Sequence, residues 1–459
     1  MQWDLGKYNL NGKHYTELRA QENRSFNLSM LNGEITKNLN SKEKGISART
    51  LINGSWGFAS HPEIQSQSLE NVLMKSEKNA MDLSRFRKDN GKIHFSKMKG
   101  SMGNIDYSSK NKISEKEVVD YLKKCNDLFL RKFPNVINRT INVRGQNFIK
   151  EIINSENAHT VEHFCRTYFY ISFAIDGKNG PVEITEALGG IGEIEQNLMD
   201  DEFLLLKMNE AYGHLMNKSS GIHAEAGEKE VVLGPRLAGI LAHEAVGHTV
   251  EADIVKGGSV AFDNLNQRVA SSLISMTDFA HTAYGKKCPS PVYFDDEGTE
   301  AQDTVLIKDG ILKSFMHNKE SAAEFEVIPT GHARAWAFND EPLIRMRNTA
   351  VLAGNSKLDE MISSVKDGYY LIKPSNGQAD TSGEFMFGVS LGYEIKNGKL
   401  GRAILDTTIS GVAFEMLKTV SMVSDDMEWL GAGHCGKKQL MHVGMGGPAI
   451  KCKINIGGV

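Results

Sequence analysis

Residues 234–254, GPRLAGILAHEAVGHTVEADI, constrain this chain more than any other stretch. Leu237, Ile240, Leu241, Ala245, Val246 and Val250 recur at helical spacing, so the segment reads as a mostly apolar helix that belongs in a core. Pro235 suits the first helical turn, where its missing N–H is no loss. The same helix carries His243, Glu244 and His248. A carboxylate and two imidazoles are costly in apolar surroundings unless something pairs with them. The chain must therefore fold so that polar groups or a cation reach this helix.

Zinc peptidases commonly place two histidines four residues apart with a glutamate after the first, because four residues bring both rings to one helix face. Here the spacing is five, His-Glu-x-x-x-His. On an ideal helix five steps turn through roughly 140°. That suits poorly two rings that must each come within about 2.1 Å of one ion. A π-type turn would realign them, and Gly247, next to His248, eases such a distortion. From these residues alone two readings stand: core histidines with Glu244 paired to an arginine, or a metal site. A third ligand would come from Glu251, Asp253, His281, or the segment GAGHCGKKQL with His434 and Cys435. A glycine-flanked thiolate approaches a metal closely and binds zinc strongly.

At 459 residues the chain is long enough for two or three domains. The expected class is α+β, with mixed α/β units followed by a larger β-rich domain carrying the metal-site helix. Residues 1–112 read as a small α+β unit, with hairpin turns at Asn32-Gly33 and Asn53-Gly54 and a helix over 64–88. A polar stretch, 89–112, marks the first boundary. Residues 113–226 read as a central α/β unit: an amphipathic helix from Glu115 to Arg131, three strands, then a helix over 197–217. Residues 227–459 form the β-rich unit, with further hairpins at Asp309-Gly310 and Asn397-Gly398.

Five cysteines, Cys125, Cys165, Cys288, Cys435 and Cys452, are scattered and odd in number, which suits free thiols rather than a disulfide framework. No pair is spaced Cys-x-x-Cys, which weakens a redox role. The beginning, MQWDLGKYNL, lacks a charged leader with an apolar stretch, and no run of 18 apolar residues follows. A cytoplasmic protein with no membrane partner is expected. The net charge of -4 carries no basic footprint, so no nucleic-acid partner is expected.

Several of these segments together resemble the TldD/PmbA family of peptidases. GISARTLINGSWGFAS, YFDDEGTEAQ, RMRNTAVLAGN and GHCGK are similar to its characteristic stretches, in order, and LAHEAVGHTVEAD is similar to its metal-site helix. The resemblance implies zinc held by His243, His248 and Cys435, with Glu244 as the base that takes a proton from water. It implies unfolded peptides as substrates, and either a homodimer or a heterodimer with a TldE (PmbA)-type subunit. That second kind of subunit lacks the histidines and glutamate, so this chain resembles the catalytic kind; the alternative is an inactive or regulatory subunit. A thiolate ligand makes a weaker Lewis acid, so a slow enzyme is expected. Substrate-binding residues are not identified. His434, Arg345 and Arg347 are candidates to steady an oxyanion on polarity alone.

Overall fold

The computed structural model describes residues 3–10, 12–86, 95, 100–178 and 180–457, so part of the polar stretch 89–112 lies outside the described residues. The Asn-Gly and Asp-Gly pairs set four hairpins. Asn32-Gly33 (φ 51° and 96°), Asn53-Gly54 (47° and 76°), Asp309-Gly310 (49° and 80°) and Asn397-Gly398 (50° and 74°) all have positive φ at both positions. That is the type I′ geometry whose twist matches the flanking strands.

The first two turns join β1 (Tyr15–Leu31), β2 (Glu34–Ile52) and β3 (Ser55–His61). Helix α1 (Ser66–Ser84) follows, then β4 (Met102–Asp106) and α2 (Glu115–Lys132). Ser114 caps α2: its side chain accepts from the Glu117 N–H while Glu117 reaches back to the cap, two otherwise orphaned donors satisfied together. β5 (Asn138–Asn154), β6 (His159–Gly177), β7 (Gly180–Ile191) and α3 (Asp201–Ser219) complete this half.

The strands on either side of residue 112 lie in one sheet. Its order is β3-β2-β1-β5-β6-β4, with β7 also paired to β6. β1 runs antiparallel to β5 from Glu17↔Asn154 to Leu31↔Thr140. Strands from both expected units, 1–112 and 113–226, thus share one layer, and Met102–Asp106, within the polar stretch, is one of its strands. α2 and α3 cover part of it, burying Leu122, Phe129, Met208 and Leu215 against Leu28, Phe169 and Phe173.

α1 lies close on β3. A Cβ at Gly57 would sit 2.1 Å from the Ser76 carbonyl oxygen and 2.2 Å from the Ala80 nitrogen. Both are backbone atoms and cannot rotate away. Gly57→Ala should therefore lower unfolding stability by about 1–3 kcal/mol, the usual range for overpacking. A lower urea midpoint at unchanged slope would show it; an unchanged midpoint would mean that the contact is loose.

Besides two short two-stranded sheets, the remaining described residues form two further large ones. One has the order Ile311–Leu312, Thr304–Lys308, Met276–Phe279, Asn348–Val351, Met441–Gly447, Glu428–Cys435. The other runs Asp367–Ala379, β8 (Gly227–Leu233), Ile450–Gly457, Thr407–Val412, Glu384–Lys396, Lys399–Ile404. The apolar helix predicted over 235–250 lies between them. Its Leu237, Ala238, Leu241, Ala242, Ala245 and Val246 are wholly buried in the largest core, which fixes where its polar residues must emerge.

The halves meet through buried charge. Arg49 of β2 donates to Glu17 (3.0 Å) and to Glu297 (2.5 Å). Lys150 of β5 donates to both oxygens of Asp296 (2.9 and 2.8 Å). The acidic segment YFDDEGTEAQ is thus a docking joint between sheets.

Candidate metal centre

The helix of residues 235–250 changes pitch at its polar residues. It is α-helical over Pro235–Ile240, π-helical over Leu241–Gly247, and tight 3-10 over His248–Val250. The His248 N–H donates to the His243 carbonyl, five residues back. The widened turn expected from the five-residue spacing is present, and it brings the two rings to 5.1 Å between centroids. Gly247 leaves room for its own neighbour: a Cβ there would lie 2.1 Å from Met346 Sδ.

Cys435 arrives at the end of the edge strand Glu428–Cys435. Its Sγ lies 3.3 Å from His248 Nε2. One ligand atom from each of His243, His248 and Cys435 falls within 4.8 Å of the others. Tetrahedral zinc, with about 2.3 Å to sulfur and about 2.0–2.1 Å to nitrogen, spaces such atoms about 3.6 Å apart. His243 is fully buried, and among the described residues neither of its ring nitrogens has a hydrogen-bond partner. A buried imidazole nitrogen without a partner is free to meet a cation. The donor set and the orphaned nitrogens fit a zinc ion.

The other sequence candidates have different places. Glu251 is fully buried and accepts from His248 Nδ1 at 2.8 Å, so it orients a candidate ligand rather than joining the cluster. Asp253 pairs with Lys437 at 2.7 Å, and Lys437 also approaches Glu251 at 3.2 Å. The His281 ring stacks on Tyr293 at 4.6 Å. Arg345 donates to the carbonyls of Cys435 (3.0 Å), Lys437 (3.1 Å) and Gln439 (2.8 Å), stapling the loop beyond the thiol. Arg347 is fully buried with Asp278. Both arginines are thus structural, a role their sequence context does not reveal.

Among the described residues Glu244 has no arginine partner. Its carboxylate stands 3.6 Å from His248 Nε2 and 4.0 Å from His243 Nε2. It lines a cleft of about 1030 Å³ shared with His434, Gly433 and Ala432 of the cysteine strand and with Ile184 and Thr185 of β7. Among the described residues both strands stand at the margins of their sheets: β7 pairs only with β6, and Glu428–Cys435 only with Met441–Gly447.

Without an ion, the cluster is held by charge. Burial pushes the Cys435 thiol up, but the imidazoles of His243 and His248 outweigh it and bring it down to about 4. Burial likewise opposes charge on His248, but the Glu251 carboxylate and the Cys435 sulfur raise it to about 10. The metal-free pair is a thiolate beside an imidazolium. Burial pushes the other four thiols up, Cys125 to about 11 and Cys165, Cys288 and Cys452 to about 12. An acid with a depressed pKa stays ionised until the pH falls to that value. Chelator-stripped protein should thus keep one equivalent of ultraviolet thiolate absorbance from about pH 8 to about pH 5, and Cys435→Ser should remove it. A signal that fades below about pH 8, as for an ordinary thiol, would refute the pair.

Comparison with known proteins agrees with the resemblance read from the sequence. The model described as PmbA/TldA metallopeptidase C-terminal domain matches residues 226–458, and PmbA/TldA metallopeptidase domain 1 matches 16–80. The zinc metalloprotease TldD homolog of Saccharolobus solfataricus is 28% identical over 422 residues, covering 91% of this chain and 90% of its own. The metalloprotease TldD homolog of Buchnera aphidicola from Acyrthosiphon pisum is 41% identical over 249 residues, covering 53% and 51%. Among solved structures, TldE from Thermococcus kodakarensis superposes with a TM-score of 0.74 at 17% identity, covering 97% of each chain. That likeness speaks to the fold. With a family model spanning half the sequence and relatives aligned along nearly all of it, the chain belongs to the TldD/PmbA family and is a metallopeptidase.

Proposed function

We propose that this chain is a zinc-dependent peptidase that hydrolyses unfolded or extended peptides, with His243, His248 and Cys435 as ligands and Glu244 as general base. The carrying observation is the placement of Glu244. Its carboxylate faces the cleft within 4.0 Å of both candidate ligand imidazoles and is itself only partly exposed. A zinc ion held by the three side chains would supply the Lewis acidity that acidifies a water and polarises the scissile carbonyl. Glu244 accepts the proton of the attacking water and delivers it to the departing amine nitrogen. Glu251 holds the His248 ring with Nδ1 engaged, leaving Nε2 toward Cys435. His434 lines the same cleft, and burial brings its pKa down to about 4, so it stands there as a neutral imidazole.

Extended substrates suit the cleft because two sheet-margin strands line it, and a free backbone can pair there while a folded chain cannot. A homodimer or a pairing with a TldE-type subunit suits the likeness to TldE. Five unpaired cysteines suit a reducing compartment such as the cytoplasm, and no helix among the described residues is long and apolar enough to cross a membrane.

Digestion of unstructured peptides, read by mass spectrometry, tests the proposal. Cleavage should stop with chelator, return with added zinc, and spare folded proteins. Undiminished cleavage by fully stripped protein would overturn it. An inactive-subunit reading predicts no cleavage even when zinc is bound.

A further inference from the structure

We infer that the first sheet carries a second zinc-type site, built from His163 and Cys165 of β6 and Glu193 beyond β7. One ligand atom each from His163, Cys165 and Glu193 lies within 4.8 Å of the others. The inference does not depend on the proposed peptidase chemistry, because no residue is shared between the two clusters.

The geometry is that of a prepared site. His163 and Cys165 are two apart on a strand, so both side chains leave the same face. Cys165 Sγ is 3.4 Å from Glu193 Oε1. Tetrahedral zinc, at about 2.3 Å from sulfur and about 2.0 Å from oxygen, sets that separation near 3.5 Å. The Asp106 carboxylate stands outside that cluster, with Oδ1 3.4 Å from His163 Nδ1.

Proton positions can be assigned from Asn147. Its Nδ2 donates to Glu193 Oε1 at 3.1 Å, so its Oδ1 is the atom that meets His163 Nε2 at 3.0 Å. An amide oxygen only accepts, so Nε2 carries the hydrogen and Nδ1 of the neutral ring is bare. Nδ1 is then the ring nitrogen left for an ion, with the Asp106 carboxylate beside it at 3.4 Å. Asn147 thus orients two ligands at once, as the partners behind metal ligands commonly do.

Lys112 is the competing cation. It pairs with the outer oxygen, Oε2, of Glu193 and is more than half exposed, so Oε1 remains for an ion. A depression of about 560 Å³ lined by Lys112, Asn147 and Glu193 reaches the Glu193 side of the cluster. Mixed nitrogen, sulfur and oxygen donors select zinc or cobalt over magnesium and calcium. An ion here would tie β6 to the turn after β7. The role is structural.

The test uses the full chain with the first cluster removed, His243→Ala/Cys435→Ser, loaded with cobalt. We expect about one ion per chain by elemental analysis, with a thiolate-to-cobalt absorption band. Adding Cys165→Ser should abolish both, and adding Asn147→Ala instead should weaken binding by about 10–100-fold while leaving the thiol in place. A natively folded double variant that binds no cobalt, or a band that survives Cys165→Ser, would overturn the inference. Should the double variant not fold, wild-type stoichiometry decides: about two ions supports the second site and one refutes it. Equal stoichiometry in wild type and the double variant would instead count against the first cluster.

Discussion

Glu244→Gln should lose about 10²–10⁴-fold in peptide cleavage while keeping its zinc and its fold. Glutamine preserves the size of the side chain and one carbonyl oxygen, but it cannot accept a proton. Nothing in the surroundings depends on the charge structurally. Among the described residues Glu244 makes no ion pair with lysine or arginine, and its carboxylate is 3.6 Å or more from both imidazoles. The loss should fall on kcat at saturating peptide, since the residue acts in the transition state rather than in binding. Zinc content and circular dichroism should match the wild type. If the variant loses metal, Glu244 is a ligand. If it keeps both metal and activity, the base lies elsewhere and the helix is a structural element with a bound ion.

How much of this could be read in the sequence depended on whether the cause was local. The four hairpin turns were legible because positive φ at two successive positions is tolerated by few residue pairs, and Asn-Gly and Asp-Gly are the commonest. The π turn was legible because His243 and His248 cannot share an ion on a regular helix. The continuity of the first sheet across residue 112 was not. β1 and β5 pair at separations above 100 residues, for example Leu18↔Ile153, and alternation along a strand says nothing about its neighbour. The roles of Arg345 and Arg347 were hidden for the same reason: their partners, the Cys435 carbonyl and Asp278, lie 90 and 69 positions away. The His163 and Cys165 pair had a weak local signal, two ligand types alternating on one strand, but Glu193 and Asn147 join it only in space.

Arg347→Met should cost about 3–5 kcal/mol of unfolding free energy, the usual consequence of leaving a buried charge unpaired. Asp278 and Arg347 are both fully buried. Arg347 Nε donates to Asp278 Oδ1 at 2.8 Å, its backbone N–H to Oδ2 at 3.0 Å, and its remaining nitrogens to four backbone carbonyls, including Gln302 at 2.8 Å. His332 and Thr349 complete the carboxylate shell at 3.0 and 2.8 Å. Burial alone would push Asp278 up, but the Arg347 guanidinium and these donors hold it well below the usual carboxylate range. Removing the guanidinium reverses the balance, so in the variant the buried carboxyl favours its neutral form. A raised carboxylate pKa favours folding only below the unfolded value of about 3.9. The deficit relative to wild type should therefore grow as pH rises above about 4. Adding Asp278→Asn removes the orphaned charge; its amide oxygen still accepts from Thr349 and the backbone N–H at 347, and its amide nitrogen can donate to His332 Nε2 in the other tautomer, so the double variant should recover part of the loss. The adjoining residues carry the effect to the candidate metal centre: Arg345 staples the Cys435 carbonyl, and Met346 Sδ fills the space beside Gly247 in the π turn. Zinc retention against a chelator should weaken with stability in Arg347→Met and improve in the double variant. A single variant as stable as wild type at neutral pH, or a double variant no better than the single, would mean that Asp278 is not held by Arg347.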